Sequence, residues 1–456
     1  MDSKKLKAIA GNILSFNNDP AASKAEKIAL GKQAASKDSA YCYIPEGLVV
    51  MEQGRIVDMG PEKEVRERYP ELDAGCIDRY PQGIIMPGFI DCHCHYVQTP
   101  MVGSFGDTLL NWLNTYTFPT ETRFASEDFS REVARMFFRQ TLAAGTTTSN
   151  IFSTTFPCSV EALFEESERL GARNITGKVL QDRNLPDNLR DSDAEESVSQ
   201  SEDLLRKWHG RGRQLYAVIP RFAPTSTPEQ MRLAGQLYQQ HRREGVYLHT
   251  HLNEAENEIQ WAMSLYPEAR DYIDIYDRYA MVDDRSVFAH CCIMQPQEWE
   301  RMHLAGSAAV HCPTSNLFLG DGQFRILQAL DPARPCLVGM GTDIGGGTSF
   351  SIVRTLGEAY KVGMLHEAPV NALRYFYLAT LGGARALHLD HLIGRIAPGY
   401  EADMVVLDTA ATEYLQWRLD FCNTLEEKLF AILTVAPDRI VAATYIAGEC
   451  RYTRQG

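Results

Sequence analysis

The sequence predicts an α/β protein: a (β/α)8 TIM-like barrel beside a small β-sandwich domain built from both chain ends. Three observations carry this. From about Gly83 to about Gly394, apolar strand-like runs alternate with polar segments of helical period. The runs number eight, the count that closes a parallel barrel. Before and after this stretch the texture is that of short strands.

The elements follow in order. Residues 1–87 hold LKAIAGNILSF and GLVVMEQGRIVDMG. In the second, Glu52-Gln53-Gly54 separates two apolar runs, a hairpin signal. The barrel is expected over 88–394. Its strands are read in GIIMPGFIDCH, GTTTSNIF, NITGKVLQD, LYAVIPRFAP, VYLHTHLNE, SVFAHC, AAVHCPTSN and CLVGMGTDI. Helix-like segments such as SREVARMFFRQTLAA and PEQMRLAGQLYQQHRRE lie between them, which implies parallel βαβ units. Residues 395–456 return to strand texture: Gly399-Tyr400-Glu401-Ala402-Asp403 leads into MVVLD, and RIVAATYIAGECRY follows. Both ends are expected to pair into one small β domain.

Composition narrows the partners. A chain of 456 residues can bury a large core. Its formal charge of -14 repels phosphate backbones and argues against nucleic acid, but not against a small neutral base. Eleven cysteines without regular spacing fit free thiols in a reducing compartment. The opening residues lack the apolar core of a signal peptide, and no apolar run reaches the roughly 18–20 residues of a membrane span. The expectation is a cytoplasmic protein with neither membrane nor nucleic-acid partner.

The strongest local signal is Asp91-Cys92-His93-Cys94-His95, which closes the first barrel strand. Strand side chains alternate faces, so His93 and His95 point the same way, towards the mouth where barrel enzymes carry their sites. Two imidazoles there can share one metal ion. The pattern recurs. The fifth run ends His249-Thr250-His251-Leu252-Asn253-Glu254, the sixth at His290 and the eighth at Asp343. His249 and His251 share a face. His251 is favoured as a ligand because it lies nearer the rim and three residues before Glu254. His249, a layer deeper, reads as a hydrogen-bonded core histidine. His311 reads as structural or as support behind the ligands. His209, His241, His303, His366, His388 and His391 fall on helical or loop segments and read as solvated.

The fourth run has no lysine to bridge two ions, and Lys178 on the third run is the only nearby candidate. One ion per chain is therefore expected. Three histidines and an aspartate suit Zn²⁺, and Fe²⁺ accepts the same ligands. A bound divalent ion brings the pKa of its water to about 7. Glu254, just past the fifth strand, is placed to move protons to a leaving group. The plain alternative is a surface glutamate like Glu256 and Glu258. Asp343 can contact metal and also accept the water's proton. His290 can orient the same water.

IMPGFIDCHCH, HTHLNE, FAHC and GMGTDIG, in that order, resemble the amidohydrolase superfamily and its mononuclear deaminase branch. VQTPMVGSFGDTLLNWLNTYTFPTETRF, PRFAPTSTPEQM, CPTSNLFLGDG, TDIGGGTSF and LATLGGARALHLDHLIGRIAPGYEADMVVLD make the likeness specific over nearly the whole chain. They are similar to the family within that branch that hydrolyses guanine to xanthine and ammonia, in purine catabolism or salvage. The resemblance implies that His93, His95, His251 and Asp343 bind zinc. It implies that Gln98 and the pair Arg221-Phe222 hold the purine, with His251 and Asp343 beside it, and that Glu254 shuttles protons. A homodimer is implied by resemblance alone. Phe222 can stack on the ring while Arg221 and Gln98 bond its polar edge. For Arg221 the plain alternative is a surface ion pair. Cys92 and Cys94 depart from the family pattern around the first His, and oxidation sensitivity is expected from their thiols. In Val102–Phe124, positions 109, 112, 113 and 116 have helical spacing, which suits a rim helix, a lid, or both. Two rivals remain: a deaminase or amidohydrolase acting on an adenine-, cytosine-, triazine- or pterin-like ring, and a non-catalytic binding protein on a relict barrel.

Overall fold

The structure is a computed structural model that describes residues 6–22, 39–106 and 108–455. The chain opens with β1 (Lys7–Phe16), β2 (Tyr41–Glu52), β3 (Arg55–Pro61) and β4 (Ile77–Pro87). The barrel strands follow: β5 (Phe89–His95), β6 (Thr146–Phe152), β7 (Arg173–Gly177) with its short continuation β8 (Val179–Leu180), β9 (Gln214–Pro220), β10 (Tyr247–Leu252), β11 (Ser286–His290), β12 (Ala308–His311) and β13 (Leu337–Met340). β14 (Met404–Asp408), β15 (Val441–Ile446) and β16 (Glu449–Thr453) close the chain.

The barrel strands pair in parallel in chain order from β5 to β13. Backbone bonds from the end of the first strand to residues just past the last strand close the ring. Asp343 N donates to His93 O at 2.9 Å and His95 N to Ile344 O at 3.2 Å. The GIIMPGFIDCH run divides at Gly88. Its first half is the end of β4, in the terminal sheet, and its second half is the first barrel strand.

The terminal domain, expected as a sandwich, is a single mixed sheet of seven strands in the order β16-β15-β14-β4-β1-β2-β3. Strands from both ends meet where β4 pairs antiparallel with β14. The predicted hairpin joins β2 to β3 through Gln53 (φ 50°) and Gly54 (φ 79°), two left-handed residues as a type I′ turn requires.

The two helix-like segments fold as helices for local reasons. Ser126 caps Glu127–Ala143 by accepting from Phe129 N, and Val133, Ala134, Phe137 and Phe138 form its buried stripe. Thr227 caps Pro228–His241, with Pro228 in the first turn. The C-terminal region, expected as part of a small β domain, also holds helices Glu413–Leu419 and Leu425–Val435 between its strands. Leu425, Leu429, Ile432 and Leu433 are buried at helical spacing. Among the described residues, no helix is long and apolar enough to cross a membrane.

A buried ion network ties the terminal sheet to the barrel. Arg173 at the start of β7 donates to Glu401 at 2.9 Å through Nε, and Arg213 just before β9 reaches Glu401 and Asp403. Burial raises the Glu401 carboxyl, but hydrogen bonds and charge from Arg173 and Arg213 outweigh it and hold it below its ordinary value. Replacing Glu401 with Ala should leave two guanidinium groups without this partner and cost about 3 kcal/mol in urea unfolding. Because the folded-state value is depressed, the pairing stabilises above the ordinary glutamate range and is lost in acid. The stability gap between the parent chain and Glu401→Gln should therefore be full at neutral pH and shrink below that range. A gap independent of pH would rule the pairing out.

Candidate active site

The predicted residues converge at the C-terminal mouth of the barrel. β5 brings His93 and His95, β10 brings His251, and His290 ends β11. Asp343 follows β13, and Glu254 lies two residues beyond β10. All six are buried. His93 Nε2 is 3.1 Å and His95 Nε2 3.4 Å from Asp343 Oδ1, and His95 Nε2 is 3.2 Å from His251 Nε2. Ligand atoms about 2.0–2.1 Å from one tetrahedral ion lie about 3.3 Å from each other. These separations are those of neighbouring ligands around one centre. His93, His95 and Asp343 form a group able to hold a metal ion, and His93 also groups with His251 and His290.

The ring nitrogens agree. His251 Nδ1 lies 2.7 Å from the Arg221 carbonyl, which can only accept, so Nδ1 carries the proton and Nε2 turns its lone pair inward. His93 Nδ1 pairs with His249 Nε2 at 2.9 Å, which leaves His93 Nε2 to face Asp343. His249 is thus the core histidine expected, and it stands behind His93. Burial, with neighbouring imidazole charge, holds His95 and His251 well below the usual histidine value. Both are neutral at neutral pH, as ligation requires. Burial raises Asp343, but charge from His93 and His290 outweighs it and keeps the carboxyl anionic.

His290 is arranged differently. Asn316 Nδ2 donates to His290 Nδ1 at 3.1 Å, and the Cys292 thiol donates to Asn316 Oδ1 at 3.3 Å, which fixes the amide. His290 Nε2 therefore bears a proton and points at two carboxylates, Glu254 at 3.4 Å and Asp343 at 3.9 Å. Burial lowers His290 to about 4. Burial raises Glu254 well above its ordinary value, and Asp321, Asp343 and Glu258 reinforce this. Glu258, weighed as a surface glutamate, is buried and accepts from the Glu254 backbone N at 2.9 Å and from Tyr272 at 2.6 Å.

A small cavity opens onto these groups. Gln98, Arg221 and Phe222 line it, with Leu109, Trp112, Leu113 and Leu319. Leu109–Trp112 is a short α-helix, and Leu113–Thr117 continues it as a π-helical turn. Leu109, Trp112 and Leu113 of this helix thus wall the cavity. Arg221 is in an ion pair, but a buried one: Nη1 meets Glu121 at 2.8 Å.

Lys178 and His311 lie apart from the ligand cluster, whereas some other positions differ from expectation. Lys178 is held away from the mouth by Asp191 at 2.7 Å and Ser197 at 2.8 Å. His311 stacks on Phe324. His241 is buried between Glu202 and Glu244, and His209 is half-buried, accepting from Tyr216 N at Nδ1 and donating from Nε2 to Glu244 O, so neither is simply solvated. Cys92 and Cys94 point away from the histidine face and are wholly buried, and burial pushes both thiols up, so the expected sensitivity loses its basis. Glu121 and Asp321 were missed. Glu121 is a carboxylate on the apolar stripe Leu113, Thr117, Phe118 of the rim segment, which is the one signal that marks it.

A barrel with histidines and an aspartate converging at its mouth defines a hydrolase class, and the chain belongs to the amidohydrolase family, whose model matches residues 84–451. Its sequence is 45% identical over 416 residues to guanine deaminase of Escherichia coli (strain K12), covering 91% of this chain and 93% of that one. Within the family, it is a member of the guanine deaminases. The solved structure of the E. coli enzyme superposes with a TM-score of 0.90 at 41% identity, covering 99% of this chain and all of that one. Guanine deaminase from Bradyrhizobium japonicum gives 0.92 at 32% identity, with coverage of 99% and 100%.

Brief maleimide treatment of the folded protein should label exposed Cys450 and leave Cys92 and Cys94 unmodified in peptide mass spectra. All eleven should react after denaturation. Labelling of Cys92 in the folded state would show that β5 is open.

Proposed function

We propose that this chain hydrolyses guanine to xanthine and ammonia, serving purine catabolism or salvage. The observation that carries the reading is the pairing of two sets of groups in one buried cavity. The imidazoles, Asp343 and Glu254 line it together with Arg221 and Gln98; burial raises the Glu254 carboxyl well above its ordinary value, while Asp343 is held below its own. Membership among the guanine deaminases supports the choice of ring. So does charge: the Arg221 guanidinium is already paired, which suits an uncharged heterocycle better than an anion.

His93, His95, His251 and Asp343 would hold one divalent ion per chain. The donor set suits Zn²⁺ and is open to Fe²⁺. When bound, the ion supplies water acidified to near neutrality. The chain's own groups do the rest. Phe222 lies against the ring face, and Arg221 and Gln98 hold its polar edge. Glu254 gives its proton to the ring nitrogen beside C2, takes the proton remaining on the hydroxyl added there and passes it to the departing amine, and is restored when the proton accepted by Asp343 returns to it. Asp343 accepts a proton from the attacking water. His290, donating through Nε2 towards Glu254 and Asp343, orients that water. Leu109, Trp112 and Leu113 keep bulk water out, which strengthens each of these interactions. The eleven free cysteines support a cytoplasmic setting, and likeness to the family supports a homodimer.

Purified enzyme given guanine and a panel of adenine, cytosine, triazine and pterin rings should release ammonia fastest from guanine. Exhaustive chelation should stop turnover, and added Zn²⁺ should restore it. Glu254→Gln should keep its metal and lose about 10²–10⁴-fold in kcat. Near-normal turnover by that variant would remove Glu254 from proton transfer. A metal-free, inactive chain would favour a binding scaffold.

A further inference from the structure

The following rests on reading the cavity as a guanine site. Glu121 stands on the helix Phe118–Thr122 of the rim segment and is fully buried. Its carboxylate accepts from Arg221 Nη1 at 3.0 and 2.8 Å, one contact to each oxygen. It also accepts from Gln98 Nε2 at 3.1 Å. A carboxylate only accepts, so this bond settles which way the Gln98 amide faces: nitrogen to Glu121, oxygen away. The oxygen is bounded on its other side by Gly345. A Cβ on that residue would lie 2.2 Å from Gln98 Oε1, and its φ of 126° suits glycine alone. The amide is thus held from two directions.

The consequence is a pattern of hydrogen-bonding signs. Arg221 and Gln98 both line the cavity, and with the amide nitrogen engaged by Glu121 the Gln98 oxygen is the acceptor left for a ligand beside the guanidinium donor. A cyclic amide offers the complement, a carbonyl that accepts next to an N–H that donates. A cyclic amidine, with an exocyclic amino group beside a bare ring nitrogen, offers the reverse. Were the Gln98 amide free to turn, it could serve either ring. A dry site that hydrogen-bonds its ligand can reject the mismatched analogue by as much as about 10⁴-fold, because buried polar groups are left unpaired.

We propose that Glu121 sets the specificity of this site for a purine bearing a ring carbonyl, as a positioning residue that fixes the Gln98 amide oxygen and the Arg221 guanidinium side by side. It touches neither the departing amine nor the metal ligands in this account. The role assigned to it is to choose the ring.

The test compares two purines with the same 2-amino group, guanine and 2,6-diaminopurine, whose 6-positions carry a carbonyl and an amino group. In Glu121→Gln the new amide can donate as well as accept, so Gln98 is released. The kcat/KM for guanine should fall about 100-fold, mainly through KM, while that for 2,6-diaminopurine holds or rises. The preference ratio should therefore collapse by at least about 30-fold. A merely structural role would lower both substrates together and leave the ratio unchanged, which would overturn the assignment. If Glu121→Gln does not fold, Gln98→Met keeps the Glu121–Arg221 pair and carries the same test, a preserved ratio again overturning it. Parent enzyme that leaves guanine intact would overturn the guanine reading itself. Parent enzyme active on guanine, with a variant whose ratio is unmoved, would overturn only the role of Glu121.

Discussion

The site depends on one seam, where the last barrel strand meets the first. Asp91, two residues before His93, accepts from Thr342 N at 3.0 Å and from Thr342 Oγ1 at 2.5 Å. Thr342 immediately precedes Asp343, whose own N–H bonds the His93 carbonyl. Two segments some 250 residues apart are thereby locked with Asp343 against His93 and His95. The bond also restrains Asp91 electrically. Burial pushes its carboxyl to about 6, and the Thr342 and His93 hydrogen bonds limit that rise. Without the seam the barrel would lack its closing contacts, and Asp343 would have no reason to meet the imidazoles.

Holding the other groups carries a cost in backbone strain, and that cost is concentrated at the mouth. Asn253, His290, Cys291 and Asp343 all have φ between 47° and 73°, a region non-glycine residues rarely occupy. Each lies just at or beyond the end of a barrel strand. Such strain survives only where the surroundings over-determine it. The barrel supplies that: β5, β10, β11 and β12 are buried at every position. The rigid scaffold sets the ligand geometry, and the strained rim turns the side chains inward. Burial then does the electrostatic work, lowering His95 and His251 and raising Glu254 well above its ordinary value.

What was legible in the sequence is what is local. Eight strands and the His or Asp near their C-terminal ends could be read because a strand's period fixes which neighbours share a face. The hairpin at Gln53-Gly54 could be read because its backbone demands those residues. What was not legible came from contacts between distant segments. The fate of His241 depends on Glu202 and Glu244 packing around it. Glu258 looked like a solvated helix residue because its partner Tyr272 sits in another helix. The split of GIIMPGFIDCH between two sheets was hidden because both halves are buried strand, and only the pairing of β4 with β1 and β14 separates them. Residues 413–435 were read as part of a β region because their flanks are strands, although Leu425, Leu429 and Ile432 carry a helical period.

The buried pair of Glu121 and Arg221 shows how a cost in stability can be a gain in function. Removing both charges from water is expensive, and an apolar pair of similar volume would generally serve the fold as well. Its retention at the cavity wall has to be explained by what the cavity holds. An unpaired guanidinium there would draw any small anion and bind it tightly, whereas one already neutralised keeps directional donors without a net charge. That combination discriminates by hydrogen-bond pattern instead of by electrostatic attraction. The rim segment bearing Glu121 also carries Leu109, Trp112 and Leu113. The same element therefore dries the site and aligns its polar groups, and the second is effective only because of the first, since hydrogen bonds discriminate strongly only where water cannot replace a missing partner.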